Sequence, residues 1–569
     1  MFITNLVRTV SLLGVLSTLA TASPVPTLEH ESSRSFIKTG AILCSLPIIR
    51  QLCRKDAGEV NVPTAVGMAR GLQTSSTSSR FVVKYASATR WGLPTKATAW
   101  DIPSNDINKM PPMCPQPNVD ASSYSEDCLY SVFYTPSPSP SMLNSIPVLV
   151  WIHGGSFEVG SASGAGLDGA ALAKATNSIV VVTQYRLGAL GLIPPSSLSG
   201  SFNLAVRDVM TSLQFIRQVA PSFGGDINQI TVSGQSSGGQ MIRALLAAPS
   251  ASSLFKYAAI HSDPMDYGFY KPETVTALQT QLYTNTSGPL AACSNLACQQ
   301  SVAVSDIISA QQEMRGKVGT MYPVTNSGSP IRPFHDGQLL QYTLTGNSFP
   351  PTADLKPVLV LTVKNEAGSA VGGLDADLPS YMLNYVVLGA YSDDRSSKII
   401  DSDNYDPDSY GAQAGYSDTD KTRTAIAQLF TDAYWRCPSW TFSRNWASKG
   451  GKVYTGEFQV GATYPSNQGN TLCQGKVCHE DDIYILFGTT PSPTSAQTAM
   501  TQELQSRYYS FIRSGVPNPS SGSYAAWAQS GSTDVAALKL GGTGTRPAEA
   551  CDPSFWGAQV AYDYQVYGL

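Results

Sequence analysis

The stretch QITVSGQSSGGQMIRALLAA, residues 229–248, changes character at its middle. QITVSG (229–234) is an apolar, β-branched run of strand length, and QMIRALLAA (240–248) carries apolar residues at helical spacing. Between them stands Gly234-Gln235-Ser236-Ser237-Gly238, a G-x-S-x-G sequence. A serine on a sharp strand-to-helix turn is held where a base can reach its hydroxyl, and the helix start favours developing negative charge. Glycines on either side avoid clashes in so tight a turn. In a chain with 48 glycines the five residues alone would mean little, and the strand-then-helix context gives them weight. Ser236 is therefore the candidate nucleophile.

Similar strands lie to either side. PVLVWIH (147–153), SIVVVTQY (178–185) and PVLVLTV (357–363) are continuous apolar runs without alternation, as expected of strands covered on both faces. Val206, Val209, Leu213, Phe215, Ile216 and Val219 recur at helical spacing between Asn203 and Ala220, and Ile426, Leu429, Phe430, Ala433 and Tyr434 mark a later helix. Buried strands alternating with helices predict an α/β fold, a large mostly parallel central sheet flanked by helices. With 569 residues, 42% hydrophobic and 9% aromatic, the chain has material for a large core. One catalytic domain is expected over 62–569, preceded by a polar extension at 23–61.

A nucleophilic serine needs an oxyanion site, a base and an acid. His153-Gly154-Gly155 follows the strand PVLVWI, about 80 residues before the serine motif, the spacing this chemistry uses on such folds. Successive glycines let backbone N–H groups converge, so Gly154, Gly155 and the N–H of Ser237 are the candidate oxyanion donors. The base and acid should follow in the order serine, acid, histidine. The histidines are His30, His153, His261, His335 and His479. His30 lies near the N-terminus, His153 belongs to the glycine turn, and His261 and His335 precede any suitable acid loop. His479, in GKVCHEDDIYILFG (475–488), is left as the candidate base. Glu366 follows the strand PVLVLTV within KNEAG, at a strand end where catalytic groups of open sheets collect. Its competitors as the acid are Asp354, which precedes that strand, and Asp482, which is close to His479 in sequence.

The remaining features bound the setting. Net charge is −4 and charged residues make up 14%, without a basic tract, so nucleic acid is not an expected partner. Residues 1–22 carry one charge, Arg8, then the apolar run VSLLGVLSTLA and the small residues Ala20-Thr21-Ala22, the pattern of a secretory signal peptide cut before Ser23. No later run is long and apolar enough for a membrane anchor. A secreted, extracellular product fits the ten cysteines, an even count. Asn285-Thr286-Ser287 is a glycosylation acceptor. DSDNYDPD (401–408) clusters four aspartates, but a calcium loop would need glycine at its sixth place and glutamate at its twelfth, where Asp406 and Ala412 stand. No metal or other cofactor is expected.

With these residues placed, the chain resembles the type-B carboxylesterase/lipase family, which includes cholinesterases and fungal secreted esterases and lipases. SEDCLY (125–130), HGGSF (153–157), YRLGALG (185–191), FGGD (223–226), GQSSGG (234–239), NEAG (365–368), CHEDDIYILFG (478–488) and SGVPNP (514–519) occur in the family's order. The resemblance implies an α/β-hydrolase fold and a serine esterase acting on small-molecule carboxylic esters, with nucleophile, acid and base at Ser236, Glu366 and His479. It also implies disulfides Cys114–Cys128, Cys293–Cys298 and Cys437–Cys551, leaving Cys44–Cys53 and Cys473–Cys478 as pairs peculiar to this chain. Departures are Gln235 and Ser237, where the family usually has Glu and Ala, and Gln184, where it commonly has Asn. The segment between Cys114 and Cys128 is short and polar, unlike the amphipathic lid of family lipases, which points to soluble or moderately apolar esters. Two rival classes share the fold: an acyltransferase or dehydratase of secondary metabolism using the same serine, and a non-catalytic binding module.

Overall fold

The computed structural model describes residues 58–136, 145–198, 202–321, 329–391, 393–411, 418–542, 551 and 553–557. The expected signal peptide, nearly all of the N-terminal extension, and the expected Cys44–Cys53 pair lie outside the described residues.

The strands are β1 (Glu59–Thr64), β2 (Gly67–Ser75), β3 (Ser78–Lys84), the two-residue pair β4 (Ala86–Ser87) and β5 (Thr95–Lys96), and β6 (Tyr130–Pro136). They continue with β7 (Ile146–Ile152), β8 (Ile179–Thr183), β9 (Gly225–Gln235), β10 (Tyr257–His261), β11 (Val358–Val363), β12 (Val453–Phe458) and β13 (Leu538–Leu540). Among the described residues all but β4 and β5 form one eleven-stranded sheet in the order β1-β2-β3-β6-β8-β7-β9-β10-β11-β12-β13. From β8 to β13 neighbours run parallel. The edge β1-β2-β3-β6 is antiparallel and joins β8 antiparallel. The sheet is therefore mostly parallel, as expected, with an antiparallel margin that starts at Glu59.

The central strands are buried along their whole length because helices cover both faces. Alternate residues of β7 enter opposite cores. Val148, Val150 and Ile152 pack in one core with Leu213 and Ile216 of the helix Leu204–Val219. Leu149 and Trp151 pack in the other with Leu504 and Phe511 of the helix Ser495–Ser514. Each such aliphatic side chain contributes roughly 1.5–3 kcal/mol by leaving water, so β7 and β9 form a rigid base for what stands at their ends. Ser236 follows β9 directly and Glu366 lies just beyond β11, both at the carboxyl end of the parallel block.

Candidate active site

Ser236 takes φ 58° and ψ −124°, a conformation that side chains rarely adopt and that surrounding structure must hold. Its N–H donates to the carbonyl of His261 at the end of β10 (2.9 Å), and its own carbonyl accepts the N–H of Gln240 (3.0 Å). The helix Ser237–Leu246 starts at the next residue. Close approach explains two glycines here. A Cβ on Gly238 would fall 2.1 Å from the carbonyl oxygen of Ile152, and one on Gly154 would fall 2.8 Å from Gln235 O and Oε1 and 3.1 Å from Ser236 Cβ. The His-Gly-Gly turn thus lies directly against the serine turn.

That turn has three consecutive residues with left-handed φ: Gly155 (110°), Ser156 (56°) and Phe157 (61°). The carbonyl of Gly155 accepts the N–H groups of Glu158 (2.9 Å) and Val159 (3.0 Å), which closes the turn. The same backbone bend continues past Gly155 through Ser156, a position that the sequence marks only by a small polar residue ahead of Phe157. His153 anchors the start of the turn. Its ring stacks on Tyr185 at 4.6 Å, its Nδ1 donates to the Gly154 carbonyl at 2.8 Å, and Tyr185 donates to the His153 carbonyl at 2.9 Å. Burial pushes this imidazole down to about 4, so it is neutral and shapes the loop.

The structure brings Glu366 and His479 together. Glu366 Oε2 accepts from His479 Nδ1 at 2.6 Å, and Glu366 Oε1 accepts the N–H of Val363 at 2.8 Å, so both carboxylate oxygens are committed. Backbone bonds clip the two loops: the N–H of Asn365 donates to the Val477 carbonyl at 2.9 Å. The Cys473–Cys478 disulfide ends one residue before His479, and a Cβ on Gly368 would meet its sulfurs at 2.5 and 3.2 Å. Asn467 Nδ2 holds the His479 carbonyl at 2.7 Å. A π-helical turn, Thr431–Arg436, carries Trp435, whose ring centre lies 5.5 Å from that of His479, and Thr431 Oγ1 accepts the N–H of Ala367. Such π turns recur at functional sites. The apolar spacing around Tyr434 predicts an ordinary helix, and nothing in it singles out Trp435.

Burial pushes the His479 imidazole down, but the hydrogen bond and charge of Glu366, together with Glu480 and Asp482, outweigh it and hold the group above its ordinary 6.5. Gln235 Nε2 stands 3.1 Å from His479 Nε2. An amide nitrogen has only protons to offer, so the imidazole nitrogen accepts and its proton sits on Nδ1, facing Glu366. Among the described residues Gln235, not Ser236, is the hydrogen-bond partner of Nε2.

The rival acids fall elsewhere. Asp354 lies on a 3₁₀ turn ahead of β11, and Asp482 pairs with His261 at 2.7 Å instead of with His479. Gln184 bridges loops: its Nε2 donates to the carbonyls of Pro112 (2.8 Å) and Cys128 (2.6 Å), and its Oε1 accepts the N–H of Ala162 (3.1 Å). Among the described residues four disulfides are present: Cys114–Cys128, Cys293–Cys298, Cys437–Cys551 and Cys473–Cys478. Among the described residues one group, Asp432, Cys437 and Cys551, has spacing suited to a metal, but its two sulfurs are bonded to each other. Asn285 is exposed, two residues beyond the helix Pro272–Tyr283.

Residues 58–556 match the profile described as the carboxylesterase family. The chain belongs to the carboxylesterase family. It is 28% identical to carboxylesterase 1C of Rattus norvegicus over 494 residues, covering 80% of this chain and 84% of that protein. A shorter stretch of 160 residues is 41% identical to para-nitrobenzyl esterase of Bacillus subtilis (strain 168), covering 26% of this chain and 32% of that one. A solved PNB esterase superposes with a TM-score of 0.65 at 24% identity, covering 84% of this chain and 95% of that structure, which shows the shared α/β-hydrolase fold. As a member of this family the chain is a carboxylic ester hydrolase. No helix among the described residues is long and apolar enough to cross a membrane.

Proposed function

We propose that this carboxylesterase is a secreted serine esterase that works through an acyl-enzyme on Ser236. The observation that carries the reading is the 2.6 Å bond between Glu366 and His479, which orients an imidazole whose other nitrogen holds a lone pair on the side of the serine turn. His479 Nε2 takes the hydroxyl proton as Ser236 Oγ bonds to the ester carbonyl carbon. The N–H groups of Gly154, Gly155 and Ser237 meet the oxyanion, with Ser156 continuing the same turn; losing one such donor typically costs on the order of 10²–10³ in rate. The imidazolium then gives its proton to the departing alkoxide. Water, deprotonated by the same nitrogen, releases the acid.

Esters of modest size suit the site. The loop between Cys114 and Cys128 is pinned through Gln116, whose Nε2 donates to the Gly160 carbonyl (3.0 Å) and whose Oε1 accepts the Gly160 N–H (2.9 Å). A short polar loop tied through Gln116 to Gly160, just beyond the glycine turn, offers no broad apolar face to a lipid surface. The four disulfides among the described residues and an exposed Asn285 support secretion and glycosylation. The test is labelling by a fluorophosphonate followed by peptide mapping, with a panel of aryl and alkyl esters. Label on Ser236 and hydrolysis of short esters are expected. Label elsewhere, or a steep activity rise only on long-chain triglyceride emulsions, would overturn the reading.

A further inference from the structure

Gln235 is fully buried beside the candidate base. Its Nε2 donates to His479 Nε2 at 3.1 Å, while its Oε1 is buried without a hydrogen-bond partner against the glycine turn, 2.8 Å from where a Cβ of residue 154 would stand. An unpaired buried amide oxygen is destabilising. The carboxamide is thus half satisfied, and the half that is satisfied rests on the histidine nitrogen that must accept the serine proton. That nitrogen has one in-plane lone pair and cannot serve two donors at once. The charged groups that face His479 are Glu366 from the acid loop and Glu480 and Asp482 from its own segment, all of which favour the imidazolium. The serine turn and the Trp435 ring bring no charge. Gln235 is the neighbour that favours the neutral ring.

We propose that Gln235 is a positioning residue that occupies His479 Nε2 in the free enzyme, keeps the imidazole neutral with its proton on Nδ1, and yields that nitrogen to Ser236 when an ester fills the site. The exchange breaks one N–H···N hydrogen bond and forms one O–H···N hydrogen bond, with no other reactant. It rests on the acyl-enzyme reading above.

The pH dependence of p-nitrophenyl acetate hydrolysis tests it, because kcat/KM reports the free enzyme and kcat the complex. In Gln235→Met, which fills similar space and cannot donate, the ascending limb of kcat/KM should move to higher pH by about half a unit to one unit, the worth of one hydrogen bond. The limb of kcat should stay in place, since the bond is already broken in the complex. An unmoved kcat/KM limb overturns the proposal, and so does an equal shift of both limbs, which would mean that the bond persists when substrate is bound. A merely structural role would lower rates without moving either limb. If Gln235→Met does not fold, Gln235→Glu keeps the shape and replaces the donor with a carboxylate; its kcat/KM limb must move further in the same direction, and an unmoved limb again overturns the proposal. Failure of the unsubstituted enzyme to label at Ser236 would sink the acyl-enzyme reading itself, whereas labelled enzyme with an unmoved limb sinks only the role of Gln235.

Discussion

Two carboxylate–imidazole pairs draw on one short segment of the chain, and they are built for opposite ends. In the first, His479 Nδ1 donates to Glu366 at 2.6 Å. In the second, His261 Nδ1 donates to Asp482, three residues beyond His479, at 2.7 Å. Each Nε2 then meets a different kind of partner. His261 accepts from the hydroxyl of Tyr508, which in turn meets Ser233 Oγ at 3.0 Å, and His261, Tyr508 and Ser233 are all sealed from solvent. Burial pushes the Tyr508 phenol far above its usual range, so it stays protonated, gives its one proton to His261 and accepts from Ser233. The His479 side chain is 16% exposed, and its Nε2 faces a displaceable amide. Carboxylate, imidazole and hydroxyl in a row therefore do not make an active site. Access, and a partner that can leave, separate the proposed catalytic pair from the structural one.

The comparison breaks first at the proposed nucleophile. Ser236→Ala should cut ester hydrolysis by roughly 10⁶-fold, near the loss seen when a serine nucleophile is removed elsewhere, with the denaturation midpoint unchanged. Comparable activity in that variant would mean that some other group does the chemistry. Glu366→Gln should cost about 10⁴-fold in kcat and move the ascending pH limb down. The sign follows from the base: only neutral His479 can accept a proton, Glu366 holds its imidazole above the ordinary value, and removing that carboxylate lets it titrate at lower pH. A limb that moved up would show that the carboxylate does not act on this histidine.

How much of this was legible depended on how local each signal was. β7, β8, β9 and β11 were readable because burial on both faces leaves continuous apolar runs such as Val148–Ile152. β10 was not, since Tyr-Ala-Ala-Ile-His lacks the β-branched density of its neighbours, and the antiparallel edge hid in mixed stretches such as Gly67–Ser75, where polar and small residues alternate irregularly. Chain order and elimination singled out Ser236, Glu366 and His479, because the chemistry demands few residue types and only five histidines exist. The partner of Asp482 was unreadable: His261 lies 221 residues away, and nothing near either residue signals the other. The role of Gln235 was equally hidden, for a substitution within a motif says what changed and not what the new side chain touches.

The second pair should fail differently. Asp482→Ala leaves His261 buried without its acceptor, and breaking a buried pair costs about 3–5 kcal/mol, readable as a fall in the urea midpoint. Activity per folded molecule should stay within about tenfold, less than one pH-relevant catalytic group is worth. A loss as large as that of Glu366→Gln, with stability intact, would move Asp482 into the catalytic chain and erase the distinction drawn between the pairs.

The smallest effect sharpens the contrast by touching one pair alone. Cys473 and Cys478 close a five-residue separation next to His479, and the cross-link of so short a loop is worth about 2 kcal/mol in the chain-entropy account. Replacing both by Ala should lower stability by that amount. Because the sulfurs pack on Gly368 and the adjoining Val477 is bonded to Asn365, the same change loosens the loop that carries Glu366 relative to the loop that carries His479. A misplacement well under 1 Å in a catalytic pair still slows the reaction, so kcat should drop a few-fold. The environment of His261, followed by the imidazole signals in NMR, should not change, since its contacts with Asp482 and Tyr508 lie on the other side of residue 479 in the chain. If stability fell while kcat held, the disulfide would be a staple of the fold and not part of what aligns the base.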